Sequence, residues 1–550
     1  MSASSKKKLR KEQSAAAMTE KQLQEQKESK KLRLYTGLFA AAIAVMILVV
    51  IVSRVAASGI IPRSTTALTV GGTKISAAEL NHYYVDSVNQ YMTKMSDYIS
   101  MFGLDTTKPL DEQFYSEAEG QTWADYFLNQ ATTNAQNMYA VYNAAKADSF
   151  TLSEESQASL EMNIQNMKSY AVMYNYPSTD SYIAATYGEG CNEKTYRHYL
   201  EVQMIAQEYA AAKNEALTYD DAALRAEEAE NFNAYSSFSY NYCYLSNVDF
   251  CEGGTEDENG TKTYSDEEKE AGRAAAEAAA NTLAAANTIE ELDAAYAALE
   301  INADLEDAKS NRQENVLYAN VNASIKEWVT SDDRKPGDIK VIPSTTTTHN
   351  HEDGEACTGE NDTESVVGYY VVRFDSKDDN LTNLVNVRHI LVSFEGGTAD
   401  QTTGTTVYSE EEKNAAKTKA EEILAAFEAG EKTEEAFAAL ATEKTTDPGS
   451  KDSGGLYENV YPGQMVPEFN DWCFDANRKP GDTAVVTTDY GCHVMYFVGT
   501  SDTTYRDHMI ESTLRSEDMT AWETGLIEAA ELVVKNTKYV KTDLILNPAQ

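Results

Sequence analysis

The chain has 550 residues, more than a single hydrophobic core usually organises, so we expect about three or four domains. Its formal net charge is −42 at pH 7, although the first 34 residues carry ten basic side chains against four acidic ones. Domains that bind nucleic acid need a basic footprint, so this acidity argues against nucleic acid as a partner. It indicates instead a soluble, self-repelling surface over most of the chain.

An uncharged apolar run, LYTGLFAAAIAVMILVVIVS, occupies residues 34–53. As a helix it would be about 30 Å long, which matches the hydrocarbon core of a bilayer. Because basic sequence precedes it and acidic sequence follows, the positive-inside rule places the N-terminus in the cytoplasm and the bulk of the chain outside. We therefore predict a basic cytoplasmic tail at 1–33 and a single-pass transmembrane helix in the cell membrane. The alternative is a cleaved signal peptide, with a candidate cleavage site near 56–58.

Six cysteines follow the apolar run, and no two of them have CxxC spacing. This excludes a thioredoxin-like redox motif and a zinc ribbon. Some of these cysteines could pair as disulfides outside the cytoplasm, and Cys243 and Cys251 are the nearest pair in sequence. The spacing alone does not determine which cysteines pair. A loop at 343–365 holds two histidines, but low-complexity insertions of this kind are usually solvated, and we predict no metal site.

Residues 65–235 show helical periodicity after one short strand. Ser76 and Glu79 have the spacing of a capping box at the start of the first of these helices. The further stretches with apolar residues at three- and four-residue spacing are 121–147, 153–174 and 193–216. The region is rich in Tyr, Met, Asn and Gln, which suits either an adaptable binding surface or an ordinary helix core.

Helical periodicity returns near the C-terminal end of the chain, over 504–534, and is followed by a candidate strand at 539–545. A helix and a strand that follow a complete domain must pack on another part of the chain. We expect residues 504–545 to complete the helical domain of residues 65–235, which has a lone strand at its N-terminal side. Residues 504–550 are thus the C-terminal helix and tail.

Two parts of the chain resemble each other. The stretch YSDEEKEAGRAAAEAAANTL resembles YSEEEKNAAKTKAEEILAAF further on, and residues 314–338 align without a gap on 458–482. We therefore predict two copies of one module, the first module at 236–379 and the second module at 383–500. Each module reads as a strand, three helices and two strands, which makes a compact α+β domain.

The second module carries a histidine near each end, His389 in VRHILV and His493 in GCHV. Between them, TTDPGSKDSGGL holds Asp447, and GQMVPEF holds Met465 and Phe469. This set of motifs, in this order and at this spacing, resembles the parvulin peptidyl-prolyl cis-trans isomerases. With its apolar N-terminal run, its helices and its C-terminal helix, the whole chain is similar to the extracytoplasmic PrsA and SurA-like foldases.

The resemblance implies an α+β fold with a parvulin-like (FKBP-like α/β) module in two copies and a mainly helical, SurA-N-like chaperone domain. It implies catalysis of cis-trans isomerisation at X-Pro bonds, a reaction that breaks no covalent bond and needs neither metal nor cofactor. A proline ring is apolar, so the family's pocket is an apolar cup that removes the ring from water. The residues that match the family's catalytic positions are His389, Asp447, Thr488 and His493. Those that match its substrate-binding pocket are Leu456, Met465 and Phe469.

Each of these residues also has a structural interpretation. The two histidines could serve chiefly to stabilise the fold, and Asp447, which precedes Pro448, could be an ordinary turn residue. Met465 and Phe469 could be plain core, although their place at a loop-to-helix junction favours pocket lining. Tyr490 stands where some parvulins have a serine, so the hydrogen bonding near the second histidine is expected to differ in detail.

The first module lacks most of these groups. Val321, Ile325 and Tyr370 stand where the second module has its pocket methionine, its pocket phenylalanine and its second histidine. No histidine lies near Cys243, where the first one is expected, and LEDAKSNRQ replaces the glycine-rich DPGSKDSGG. We predict that the first module keeps the fold and has lost isomerase activity.

From the resemblance we expect a membrane-anchored isomerase and chaperone that helps exported proteins fold outside the cytoplasmic membrane. Its partners would be unfolded or partly folded exported polypeptides with accessible X-Pro bonds. A non-catalytic holdase that uses both modules as binding scaffolds is the alternative. A structural envelope protein is a third interpretation, but it gives no reason for the pocket motifs to remain in one module and to disappear from the other.

Overall fold

The computed structural model of the protein describes residues 3–16, 20–96, 99–256, 260–348, 362–400 and 404–547. The chain divides into two compact units, which are Met1–Thr218 together with Ser516–Gln550, and Tyr219–Arg515. Both histidines of the predicted solvated loop at 343–365 lie outside the described residues. The candidate site lies entirely within the second unit.

Helices dominate the N-terminal part of the chain, and most of the strands follow Tyr235. The helices are α1 (Ala3–Ala16), α2 (Glu20–Ala57), α3 (Ile60–Ser64), α4 (Ala77–Lys94), α5 (Trp123–Ala147), α6 (Glu154–Met173), α7 (Thr179–Tyr187), α8 (Glu193–Ala216), α9 (Asp221–Glu230), α10 (Asp266–Leu283), α11 (Ile289–Ala297), α12 (Ala323–Val329), α13 (Glu410–Glu428), α14 (Glu434–Lys444), α15 (Pro467–Cys473) and α16 (Tyr505–Ala529). The strands are β1 (Thr66–Val70), β2 (Thr73–Ser76), β3 (Phe114–Ser116), β4 (Gln121–Thr122), β5 (Ser237–Ser246), β6 (Thr255–Glu256), β7 (Lys262–Thr263), β8 (Asn311–Leu317), β9 (Ile339–Thr348), β10 (Thr363–Asp378), β11 (Asn383–Ser393), β12 (Thr398–Ala399), β13 (Thr406–Val407), β14 (Leu456–Val460), β15 (Thr483–Thr488), β16 (Gly491–Thr504) and β17 (Leu532–Val534).

The N-terminal region is helical. The predicted tail at 1–33 contains α1, and the uncharged run at 34–53 lies within α2. Among the residues that the structure describes, none of the helices combines the length and the apolar character that crossing a membrane requires.

The first unit is built mainly of α4 to α8. The capping box predicted for α4 is present, since the Ser76 hydroxyl accepts a hydrogen bond from the N–H of Glu79 and the Glu79 carboxylate accepts one from the N–H of Ser76. The tyrosines of this unit lie both inside and outside, because Tyr84 and Tyr139 are buried whereas Tyr174 is exposed. The tyrosine-rich composition therefore serves the core and the surface together.

A small antiparallel sheet in the first unit has the order β17-β1-β2. The C-terminal strand is therefore β17, and the prediction of a strand at 539–545 was wrong. That segment instead binds the side chain of Asn81 on α4, whose amide donates to the carbonyl of Tyr539 and whose oxygen accepts from the N–H of Lys541. The backbone of this segment thus bonds to a side chain and not to a neighbouring strand. The periodicity of the sequence does not distinguish these two kinds of partner.

The second unit contains two four-stranded antiparallel sheets, with the orders β8-β5-β10-β9 and β14-β11-β16-β15. The two orders correspond strand by strand along the two modules. Helices α10 and α12 contact the first sheet, and α13, α14 and α15 contact the second. The edge strands β8 and β14 were not predicted, because each is short and partly exposed and lacks the alternation of a half-buried strand.

The boundary between the units differs from the predicted one. The helical domain was predicted to include 219–235 and 504–515, but the structure places both segments in the second unit. The reason is Arg506, which is completely buried and donates hydrogen bonds to the backbone carbonyls of Phe232 and Tyr235. A tie of this kind between distant segments leaves no trace in helical periodicity.

All the described cysteines are free thiols, so Cys243 and Cys251 form no disulfide. Cys243 lies on β5 with its side chain in the core of the first module, where burial raises the pKa of its thiol to about 12. It therefore behaves as a small apolar residue. In the described part of the chain, no group of three or more His, Cys, Asp or Glu side chains is arranged to hold a metal ion.

Candidate active site

The two histidines of the second module lie side by side on adjacent strands. β11 and β16 pair so that Leu391 faces His493 and His389 faces Met495, which brings both histidines to the same face of the sheet. Their Nδ1 atoms are 3.0 Å apart, and their rings stack with centroids 5.2 Å apart and planes at 19°. Both side chains are buried. Strand pairing thus joins two motifs that are far apart in sequence.

Asp447 lies in the turn that follows α14 and binds the first histidine. Its Oδ2 accepts hydrogen bonds from His389 Nε2 at 2.9 Å, from the Tyr457 hydroxyl at 3.0 Å and from the Ser450 hydroxyl. Its Oδ1 accepts from the N–H of Gly449 at 3.1 Å, the contact of an Asx turn. Asp447 is therefore a turn residue and also the centre of a hydrogen-bond network.

Hydrogen bonds run in one row from Asp447 through both histidines to Thr488. The Thr488 hydroxyl lies 2.9 Å from His493 Nε2. Because an ionised Asp447 can only accept, His389 carries its proton on Nε2 and accepts at Nδ1. His493 then donates from Nδ1 and accepts the Thr488 hydroxyl proton at Nε2. This tautomer assignment follows from the partners and leaves both imidazoles neutral and fully bonded.

The pKa values agree with two neutral rings beside an ionised carboxylate. Burial lowers the pKa of His389, and it outweighs the opposing effect of Asp447. Burial and the neighbouring His389 lower the pKa of His493 to about 4. Partial burial alone would raise the pKa of Asp447, but hydrogen bonds from Ser450, His389 and other donors outweigh it and lower the value to about 2. At neutral pH the site therefore carries one negative charge.

The apolar part of the site is formed by α15 and the loop before it. Phe469 is 3% exposed, and its ring meets both histidine rings edge-on, with centroids 5.5 Å from His389 and 5.3 Å from His493. Met465 is half-buried and packs in the same cluster. Pro467 begins α15, where a missing N–H costs nothing. Phe469 and Met465 together make an apolar wall beside the histidine pair.

Leu456, the third residue predicted to line the pocket, is half-buried at the start of β14, and its place in the pocket stays a prediction. β14 pairs with β11 so that Leu456 faces Arg388, whose guanidinium binds Glu434 on α14. Because side chains alternate along a strand, the next residue, Tyr457, points to the other face of the sheet. Its ring lies 5.1 Å from that of His389 and its hydroxyl binds the aspartate. Tyr457 therefore lies on the histidine face of the sheet, beside His389 and Asp447.

Sequence reasoning missed Ser450 and Tyr457 as members of the site. Ser450 is completely buried, and its hydroxyl lies 3.1 Å from His389 Nε2. The signal in the sequence that could have located this loop is the glycine pair at 454–455, which lies just before Leu456 and Tyr457. Gly455 has φ of 75°, and a Cβ there would lie 2.2 Å from the carbonyl oxygen of His389. Only glycine allows the loop to pass this close to the strand.

Thr488 occupies the place predicted for it at the end of β15. Its hydroxyl also accepts a hydrogen bond from the N–H of Tyr490 at 3.2 Å, so it donates to one group and accepts from another. The Tyr490 side chain is 66% exposed. Tyr490, which departs from the family pattern, therefore contributes its backbone N–H to the row of hydrogen bonds that ends at Thr488, and its ring is exposed to solvent.

The first module holds tyrosines at the two histidine positions. β10 and β5 pair so that Tyr242 faces Val372 and Tyr244 faces Tyr370, the same register as around the histidine pair. Tyr242 and Tyr370 are thus the counterparts of the histidines, and their rings lie 5.8 Å apart at 61°. The sequence located the first counterpart near Cys243, one residue away, because register is decided by strand pairing and not by residue type.

Comparison with known families identifies this region. Residues 369–499 match the family model of the PPIC-type PPIASE domain. This region is therefore similar to the PPIC-type PPIase domains. The PPIase domain match contains both histidines, Asp447, the tyrosine at 457 and the apolar wall. It starts within β10 of the first module and stops within β16, before α16 begins.

Two curated relatives that match part of this chain are foldase proteins. The foldase protein PrsA 1 of Listeria innocua serovar 6a is 32% identical over 126 residues, which make up 22% of this chain and 42% of that protein. The foldase protein PrsA 2 of Listeria monocytogenes serovar 1/2a is 38% identical over 77 residues, 14% of this chain and 25% of that protein. This chain thus covers less than half the length of either relative. Among solved structures, peptidylprolyl isomerase (PrsA) from Bacillus anthracis is 23% identical, with 28% of this chain and 59% of that chain covered and a TM-score of 0.18.

Proposed function

We propose that the protein is a peptidyl-prolyl cis-trans isomerase and foldase for exported polypeptides, with the second module as its catalytic domain. The observation that carries the proposal is the placement of His389, His493 and Asp447 against the wall of Phe469 and Met465. The match of this region to the PPIC-type PPIASE domain and its likeness to PrsA foldases support it.

The apolar wall binds the proline ring. Phe469 is buried against both histidine rings, while Met465 is half-buried and lies at the end of a loop. A flexible thioether beside a fixed ring suits a small apolar ligand that arrives in two isomers. Removing the ring from water also strengthens the electrostatic interactions beside it.

Asp447 acts on the peptide bond next to that ring. The planar amide owes its rotation barrier to resonance, which places partial negative charge on the carbonyl oxygen. A fixed carboxylate beside this oxygen disfavours that charge, and thus favours the twisted state in which resonance is lost. Because three side-chain donors already hold Oδ2, the charge of Asp447 is oriented before the substrate binds.

In this proposal the histidines position the other groups and transfer no proton. His389 fixes the carboxylate of Asp447, and both rings fix Phe469. A neutral pair with every ring nitrogen bonded has no proton to give and no free acceptor. The catalytic role of Thr488 is likewise to keep His493 in one tautomer.

The remaining regions complete the proposal. The two modules are two copies of one fold. The first is a copy without isomerase activity, because it lacks the loop that carries Asp447 and has tyrosines where the second has histidines. The helical part of the chain, at 65–218 with 516–545, is the chaperone domain. The uncharged run at 34–53 anchors the chain in the cell membrane, a proposal that rests on the sequence alone. Extraction of membranes with alkaline carbonate tests it, because a spanning chain stays in the pellet.

Proline-limited refolding of a client tests the catalytic proposal. The full chain is compared with Met465→Ala and with Val321→Ala, which truncates the corresponding position of the first module. We expect the full chain and Val321→Ala to accelerate the slow phase and Met465→Ala to lose about tenfold of that acceleration, the range for one pocket contact.

The same experiment separates the alternative function. A holdase that only binds would suppress aggregation and leave the slow refolding phase unchanged in all three proteins. Acceleration that Val321→Ala and Met465→Ala reduce equally would contradict the assignment of catalysis to the second module alone.

A further inference from the structure

The first turn of α16 lies beyond the matched PPIase domain and carries two buried residues. Thr504 caps this helix, since its hydroxyl accepts a hydrogen bond from the N–H of Asp507 at 3.0 Å. The next two residues, Tyr505 and Arg506, are 8% and 0% exposed. A buried arginine is costly unless its charge and its donors are satisfied, so specific contacts must hold it.

Arg506 binds the segments at both ends of the first module. Its Nε donates to Glu228 at 2.6 Å and its Nη2 to the carbonyl of Phe232 at 2.6 Å, and the guanidinium lies 4.0 Å from the centre of the Phe232 ring. Its Nη1 donates to the carbonyl of Asp379 at 3.1 Å, and the backbone N–H of Arg506 donates to the carbonyl of Asn380 at 2.8 Å. Glu228 and Phe232 precede the first module, Asp379 is its last residue and Asn380 follows it. Arg506 therefore fixes the start of α16 to this module.

Tyr505 contacts the second module instead. Its ring stacks on that of Tyr461, with centroids 4.4 Å apart and planes at 1°. Tyr461 follows β14 and opens the loop 461–466, which carries Met465 of the apolar wall. Within this loop the Gln464 side chain accepts from the N–H of Tyr461 at 3.1 Å, and the N–H of Gln464 donates back to the carbonyl of Tyr461 at 3.1 Å. These two hydrogen bonds close the loop into a turn that begins at Tyr461 and carries Met465.

We infer that Tyr505 is a positioning residue of the proline pocket, and that the first module holds Tyr505 in place through Arg506. The inference rests on the proposed isomerase function of the second module. It gives the first module a role in the reaction of its neighbour, which is to support the loop that carries Met465. The pocket of this chain therefore depends on residues outside the PPIase domain itself.

This support acts on substrate binding more than on the isomerisation step. Met465 contacts the proline ring in the planar and in the twisted states alike, so a displaced loop weakens both states together. The hydrogen-bond network of Asp447 has its donors on other elements and none from Tyr505 or Tyr461 among its described contacts. Loss of the ring stack is expected to raise the dissociation constant and to leave the turnover of bound peptide nearly unchanged.

The test compares Tyr505→Leu, Tyr505→Phe and Tyr408→Leu in the full chain. Tyr408 is a matched control, because it also belongs to an aromatic pair of the second module. Its ring centroid lies 5.2 Å from that of Phe394, in a hydrophobic cluster separate from that of Met465 and Phe469. NMR exchange spectroscopy with a short alanine-proline peptide measures its dissociation constant and its exchange rate when bound. We expect the dissociation constant to rise about threefold to tenfold in Tyr505→Leu, the range for one aromatic pair, and to stay within about twofold in the other two.

The methyl resonance of Met465 in methionine-labelled protein gives a second readout, without peptide. It should shift in Tyr505→Leu and stay in place in Tyr505→Phe and Tyr408→Leu. An unshifted resonance in Tyr505→Leu, or an equal shift in the control, overturns the inference. This readout needs no catalysis, so a wild-type chain without isomerase activity would refute the proposed function and still leave the positioning tested.

Glu228→Gln tests the part assigned to Arg506, which ties Tyr505 to the segments at the ends of the first module. It removes the charge that Arg506 binds and keeps a hydrogen-bonding side chain, and we expect a rise of about threefold in the dissociation constant. In the Tyr505→Leu background the same change should add nothing, because the effect passes through Tyr505. Fully additive effects, or no effect of Glu228→Gln in the wild-type background, overturn this part.

Discussion

The two modules of the second unit share their sheet order and differ at one site. In each, the motif RKPGD places its arginine over a tryptophan ring, Arg334 over Trp328 at 5.0 Å and Arg478 over Trp472 at 4.1 Å. The glycine of the motif also donates to the carbonyl of the last phenylalanine of the central strand in both, at 2.8 Å. The scaffold has thus been kept in detail where no chemistry takes place.

The difference bears on what the histidines do. The first module builds the same sheet with Tyr242 and Tyr370 in their places. The fold therefore does not require imidazoles at these positions. This weakens the interpretation of His389 and His493 as purely structural residues, and it supports a role in holding Asp447.

The largest effect is expected from the residue on which the network of the second module converges. Asp447→Ala removes the charge beside the peptide bond, and we expect kcat/KM to fall about a hundredfold, the scale of one preorganised electrostatic group. Asp447→Asn keeps the shape and should recover part of the loss. Asp452→Ala, an exposed change in the same loop, is the control. Activity that survives Asp447→Ala would remove the electrostatic part of the mechanism.

A smaller effect is expected at Phe469 and at its counterpart in the first module, Ile325, both of which are buried. Phe469→Leu and Ile325→Val each remove a little volume from residues that are 3% and 1% exposed, and each should cost about 1 kcal/mol of unfolding free energy. Only Phe469→Leu should lower isomerase activity, by about tenfold. Chemical denaturation and an isomerase assay measure the two quantities, and equal losses of activity would contradict the comparison.

A third difference concerns pH, because histidines titrate near neutrality and tyrosines do not. The pKa of His493 is lowered to about 4 in the folded chain, so the unfolded chain takes up this proton first as the pH falls below about 6.5. Stability from this residue is therefore complete above pH 6.5 and is lost progressively toward pH 4. Denaturation at pH 7 and pH 4.5 should show a drop that His493→Phe reduces. Activity should stay flat between pH 8 and pH 7, since neither imidazole changes its charge there.

The smallest effect is expected when the histidine pair is introduced into the first module. Tyr242→His combined with Tyr370→His gives the first module a histidine pair on the same strands. We expect no gain of isomerase activity in a chain whose second module carries Asp447→Ala, because the loop with the aspartate, the serine and the glycine pair is absent from the first module. Measurable recovery of activity would show that the rings alone suffice.

Much of the site was predictable because its residues stand in compact motifs. Asp447, Met465 and Phe469 lie within short distances along the chain, and the structure brings them to the histidines as expected. Tyr457 was missed because the choice between it and Leu456 as the residue beside the histidines depends on which face of β14 meets them. That choice is made by the register with β11, which the residue types of an edge strand do not encode strongly.

The sequence by itself determined the helices, their caps, the internal similarity of the modules and the residue types of the site, because these depend on contacts between near neighbours in the chain. Only the tertiary structure decided the extent of each unit, the tyrosine pair of the first module and the tie from Arg506 to the proline pocket. The tyrosine pair and the contacts of Arg506 with Glu228 and Phe232 join segments more than a hundred residues apart. Strand register and buried side-chain contacts settle such pairings, and neither has a local signature in the sequence.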